Sequence, residues 1–112
     1  MYKTTLVEAD IADGQRVVDE LERIMHVTAA FWLYLEEEDD WKLVIVSPDV
    51  AEKGPFNLYT NIAALLNELS IDPRKPVQMP FARVTLLSPN SLLYQRVKQF
   101  SGLLDAHVYK MA

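Results

Sequence analysis

Two apolar runs flank a block of acids between Val27 and Ser47, and this pattern organises the chain. The first run is Thr28-Ala29-Ala30-Phe31-Trp32-Leu33-Tyr34-Leu35, rich in the aromatic and bulky residues that favour a pleated, packed surface. The second is Trp41-Lys42-Leu43-Val44-Ile45-Val46-Ser47. Side chains alternate faces along a strand, so Phe31, Leu33 and Leu35 point one way and Ala30, Trp32 and Tyr34 the other. Neither face is polar, which predicts a strand pair covered on both sides. Glu36-Glu37-Glu38-Asp39-Asp40 separates the runs. Adjacent carboxylates repel one another and stay in water, and no Asn-Gly or Asp-Gly pair is present. The pattern predicts a β-hairpin with a loop of about three to five residues at an exposed tip.

Helical spacing appears three times. Ile11, Val17, Val18, Leu21, Ile24 and Met25 form one stripe, with Asp10 as the expected N-cap and His26 closing the helix. A second helix is predicted from Pro55 to Leu69, with Leu58, Tyr59, Ile62, Leu65, Leu66 and Leu69 inward and Pro55 in the first turn. A third begins at Ser88-Pro89, with Leu92, Leu93, Val97 and Phe100 as its stripe and Gly102 as its stop. Ser47 to Pro55 reads as a loop, and the prolines at 73, 76 and 80 make a stiff irregular connection. Phe81–Leu87 and Leu103–Met111 read as strands, and Tyr2–Val7 as a short edge strand. The resulting order is (β)αββαβαβ. Strand-helix-strand units favour parallel strands, so the second hairpin arm and the last two strands should run in one direction and the first arm against them. The expected fold is a single α/β domain over residues 1–112, a mixed sheet of four to five strands with three helices on its two faces.

Composition narrows the chemistry. The chain has 112 residues, half of them hydrophobic, enough for one core. Its net charge of −5, with no basic cluster larger than Arg74 and Lys75, argues against nucleic-acid binding, which needs clustered cations. The absence of cysteine excludes disulfides, thiolate catalysis and Cys-based zinc sites. No apolar run has the length of a signal-peptide core or a membrane span, so a cytoplasmic protein without membrane attachment is expected. The chain has only three glycines and no phosphate-cradling loop, and its two histidines, His26 and His107, lack metal-site spacing. No cofactor or metal is expected, and no catalytic residue is assigned.

One internal echo points to a ligand site. LVIVSPD closes the second arm and VTLLSPN the following strand. If those strands are parallel, Ser47, Asp49, Ser88 and Asn90 gather beyond their carboxyl ends, where open α/β sheets bind ligands. Turn and capping chemistry selects the same residues. A second candidate is Asp40-Trp41-Lys42, which resembles the (D/E)-x-K half of the PD-(D/E)-x-K nucleases. That resemblance implies a Mg²⁺-dependent phosphodiesterase on a mixed sheet, with Asp40 and a facing Glu36 on the metal and Lys42 beside the attacking water. The chain departs from the pattern in lacking the earlier Pro-Asp and in placing the triplet at a hairpin tip.

The phrases FWLYL, WKLVIVSP and DAHVYKM resemble those of a family of small bacterial proteins without assigned activity, and the resemblance implies no catalytic residues. The leading expectation is a non-enzymatic domain that forms a homodimer or docks on a protein partner. Trp32, Tyr34 and Trp41 are the candidate interface residues, because large aromatics dominate contact energies. A small-molecule or anion site at the Ser47 and Ser88 turns is the alternative.

Overall fold

The computed structural model describes residues 6–100 and 106–111. Their order is α1 (Glu8–Leu21), β1 (Ala29–Leu35), β2 (Asp40–Val46), α2 (Asp49–Lys53), α3 (Pro55–Ser70), a 3₁₀ turn (Phe81–Arg83), β3 (Val84–Leu87), α4 (Leu92–Phe100) and β4 (Ala106–Met111). The four strands form one mixed sheet in the order β3-β2-β1-β4. The hairpin pairs antiparallel with Trp32 opposite Leu43 and Tyr34 opposite Trp41. β2 and β3 are parallel, and β4 is antiparallel to β1. Strands β2, β3 and β4 therefore run in one direction and β1 against them, as the pattern predicts.

Alternation along β1 and β2 splits the core into two layers. Ala30, Trp32, Leu43 and Ile45 face α1 and α3, which bury Val17, Val18, Leu21, Leu58, Ile62 and Leu66 against them. Ala29, Phe31, Leu33, Val44 and Val46 face the other way, onto Tyr94 and Val97 of α4. A single short helix thus suffices for the second face, where Phe31 and Val46 are fully buried. Along β1 and β2 both faces close within the chain; the exposed large apolar side chains include Phe56 and Leu92 on helices, Phe81 on the 3₁₀ turn and Val108 on β4.

Local chemistry accounts for the places where the elements differ from their predicted bounds. Helix α1 starts at Glu8 with Val7 as an uncapped N-cap. Asp10, the expected cap, lies in the first turn and pairs with Arg83 at 3.1 Å. The helix ends at Leu21, before His26, whose backbone N–H donates to Asp49 at 3.1 Å. The loop after β2 contains a further one-turn helix, α2, so the described residues hold four α-helices where the spacing predicts three. Pro80 starts a 3₁₀ turn closed by Arg83 N–H on its carbonyl at 3.0 Å, so β3 begins at Val84 and not Phe81. Helix α4 begins at Leu92 because Ser88 closes a turn instead of capping it. Tyr94 and Val97 point inward there, leaving Leu92 68% and Phe100 44% exposed. Within the expected Tyr2–Val7 strand, Leu6 and Val7 are not in a strand, and residues 1–5 lie outside the described residues, as do Gly102 and the start of the predicted last strand. The hairpin loop is Glu36–Asp39, with Asp39 at a φ of 48°, a left-handed position that aspartate tolerates better than most residues.

The proline-bearing connection is fastened to α1. Arg16 donates to the Asp72 carboxylate and to the Lys75 carbonyl, and Asp72 also accepts the backbone N–H groups of Arg74 and Lys75 at 2.8 and 3.3 Å. These donors, led by the Arg74 N–H and the Arg16 side chain, hold the Asp72 carboxyl below the usual aspartate range. A depressed carboxyl contributes stability that is complete above its unfolded value of about 4 and is lost as pH falls below it. The stability gap between the native chain and Asp72→Asn, read by chemical denaturation, should therefore be constant near neutrality and shrink toward pH 2.

Candidate functional site

The parallel pairing of β2 and β3 brings the two Ser-Pro turns side by side. Ser47 N–H donates to Leu87 O at 3.0 Å, so the carboxyl ends of the two strands are directly bonded. Ser47 and Asp49 are buried. The Ser47 hydroxyl accepts the Asp49 N–H at 3.1 Å, and the Asp49 carboxylate accepts the His26 N–H and approaches Lys53 at 3.9 Å. On the second turn the Ser88 hydroxyl accepts the Asn90 N–H at 3.3 Å. Ser47, Asp49 and Ser88 therefore carry turn-forming bonds that join β2 to α2 and β3 to α4. The parallel register places both turns at one end of the sheet, and these three side chains are engaged in holding the chain.

Trp32 is fully buried and Trp41 is 8% exposed, while Tyr34 is half-buried. Trp32 Nε1 donates to the Tyr109 hydroxyl at 2.8 Å, and that hydroxyl donates to Ile11 O at 2.5 Å. The Arg83 guanidinium lies 4.6 Å from the Trp32 ring centre, held there by Asp10. Tyr34 and Trp41 meet as tilted rings at 5.6 Å. As folded, Trp32 has no surface to offer a second chain; it joins α1, β1, β4 and the 3₁₀ turn. Burial raises the Tyr109 hydroxyl above the usual tyrosine range, the effect of desolvation exceeding that of the Trp32 hydrogen bond.

The polar side chains of the nuclease-like triplet are engaged in local contacts. Asp40 accepts the Trp41 N–H at 2.8 Å, and Lys42 donates to Ala82 O at 2.9 Å and lies 3.6 Å from Glu38. Among the described residues no three Asp, Glu or His side chains are arranged to hold a metal ion. No described helix is long and apolar enough to cross a membrane.

A different place combines exposure with apolar chemistry. Phe56, Tyr59, Thr60 and Ala63 on α3 and Phe81 on the 3₁₀ turn line an open, almost wholly apolar groove. Tyr59 and Phe81 pack edge to face at 5.4 Å. The Tyr59 hydroxyl accepts the Leu86 N–H at 3.0 Å, so the tyrosine that walls the groove also satisfies a backbone donor of the edge strand β3. Phe56 is 80% exposed, the most exposed large apolar side chain described. Phe56 lies outside the predicted α3 stripe; that off-stripe position is the sequence signal that it faces water. Comparisons with known protein families, with curated proteins and with solved structures find no match for this chain.

Proposed function

We propose that this domain is a self-associating interaction module whose working surface is the apolar groove on α3. The observation that carries this reading is the exposed phenyl of Phe56 beside the aromatic wall of Tyr59 and Phe81. Exposing a large apolar side chain to water forgoes burial worth about 1.5–3 kcal/mol, and clusters of such side chains mark contact surfaces. The polar residues at the sheet's carboxyl end support the same reading from the other side, because Ser47, Asp49 and Ser88 serve the fold. Sedimentation velocity over a dilution series tests the proposal. A weight-average sedimentation coefficient that rises with concentration toward the dimer value is the expected result. A monomer throughout, up to millimolar chain, would refute self-association.

A further inference from the structure

We infer that two copies of this chain meet through α3 about a two-fold axis near Thr60, with Phe56 of each copy seated on Thr60 and Ala63 of the other; this rests on the self-association proposed above and specifies its surface. Charge and shape select a second copy as the occupant, and area sets how tightly it binds. Charge comes first. The chain carries a net charge of −5, so two copies repel unless they meet where acids are absent. Helix α3, PFNLYTNIAALLNELS, has Glu68 as its single charged residue, near its far end. Helix α1 by contrast carries Glu8, Asp10, Asp13, Asp19 and Glu20, and the hairpin tip is a run of acids. Depletion of charge at the centre is a mark of interface cores.

Shape comes second. Phe56, Thr60 and Ala63 recur at i, i+4 and i+7 and so share one side of the helix. The large residue is at one end of this row and the small ones at the middle and the other end. An antiparallel two-fold arrangement is self-complementary when a residue i meets j and j meets i. Turning α3 end for end about Thr60 places each phenyl over the other copy's small residues, which the groove leaves open. Phe81 and Tyr59 then close the side of each pocket.

Area comes third. A buried phenyl contributes roughly 150–250 Å², so two of them with their pockets fall short of the roughly 800 Å² per partner of a standard stable interface. The dimer is therefore a weak one, with a dissociation constant on the order of 10 µM or above.

The test compares three chains by sedimentation velocity: the wild type, Phe56→Glu, and Leu92→Glu as a control on the separate exposed apolar surface of α4. Phe56 is too exposed to support the core, so the substituted chain keeps its thermal midpoint. Phe56→Glu is expected to weaken the dimer by roughly 100-fold or more, since each phenyl acts twice across the two-fold axis; Leu92→Glu is expected to leave it unchanged. Thr60→Cys, in a chain without any other cysteine, is expected to give a covalent dimer on oxidation, while Glu20→Cys on α1 is not. A wild-type dimer that survives Phe56→Glu and dissociates in Leu92→Glu would overturn the α3 assignment and leave self-association standing. A monomeric wild type would overturn both.

Discussion

Trp32→Ala is expected to destabilise the domain by about 3–5 kcal/mol, a large part of the roughly 5–15 kcal/mol that holds a domain of this size folded. Trp32 is the largest fully buried side chain. Its removal leaves a cavity under α1 and strips the Tyr109 hydroxyl of its donor and the Arg83 guanidinium of its ring. Trp32→Phe is the milder change. The phenyl retains much of the packing, so its smaller cost, about 1–3 kcal/mol, reports the smaller ring together with the lost hydrogen bond. Urea denaturation of the two variants checks the order. Equal stability of Trp32→Ala and the wild type would contradict the placement of the indole in the core.

Gly14→Ala should also destabilise, by about 1–3 kcal/mol, although the same change inside an unconstrained helix stabilises by about 1 kcal/mol. Gly14 faces β4 and the buried indole. A Cβ added there would lie 2.7 Å from Trp32 Nε1 and 3.0 Å from Tyr109 Cζ, closer than such atoms approach, and would press on the Tyr109 hydroxyl as well. Both neighbours are fixed, since the indole N–H and the tyrosine hydroxyl are bonded to each other and onward to Ile11 O. Helix α1 must therefore lift away from the sheet to admit a methyl group. Tyr109→Phe removes the nearest atom, so Gly14→Ala and Tyr109→Phe together should cost less than the sum of the two separately, a coupling of about 0.5–3 kcal/mol. Thermal denaturation of the four chains gives this coupling. Tyr109 has its own signature in pH. Its hydroxyl is held above the tyrosine range by burial, so the folded chain resists its ionisation. The associated stability is intact below the unfolded value of about 10 and declines as pH rises past it.

The parts of the fold that were legible in the sequence are those set by short-range periodicity. Period-two alternation in the hairpin assigns Phe31 and Leu33 to one layer and Trp32 to the other, as found. The stripe from Leu58 to Leu69, opened by Pro55, bounds α3 within one residue. The differences arise where a partner distant in sequence decides. Asp10 does not cap α1 because Arg83, 73 residues away, takes its carboxylate. Phe81-Ala82-Arg83 has strand-like composition, yet the turn from Pro80 and the contact of Phe81 with Tyr59 hold it out of the sheet. Ser88 and Pro89 have the composition of a helix start, while the Ser88 hydroxyl forms a local turn and α4 begins later.

The candidate site shows the same division. Ser47 and Ser88 were brought to one end of the sheet by the parallel register, but their bonding to Asp49 and Asn90 depends on geometry that the residue types alone leave open. Trp32 and Trp41 are aromatic enough for an interface, and only their burial in the core under the helical face of the sheet reveals that this chain uses them internally. The groove on α3 draws Phe81 from a segment 25 residues beyond Phe56, a juxtaposition that no local pattern contains. What the sequence does hold is the off-stripe position of Phe56 and the single charge of α3, two features that acquire meaning once the helix is placed.

Dilution of the isotope-labelled wild-type chain, followed by backbone amide chemical shifts, locates the surface through which two copies would meet. An α3 interface predicts concentration-dependent shifts at Phe56, Thr60, Ala63 and Phe81, with α1 and the acidic hairpin tip unmoved. Shifts that cluster instead on α4 or β4, or a spectrum that does not change up to millimolar chain, would contradict it.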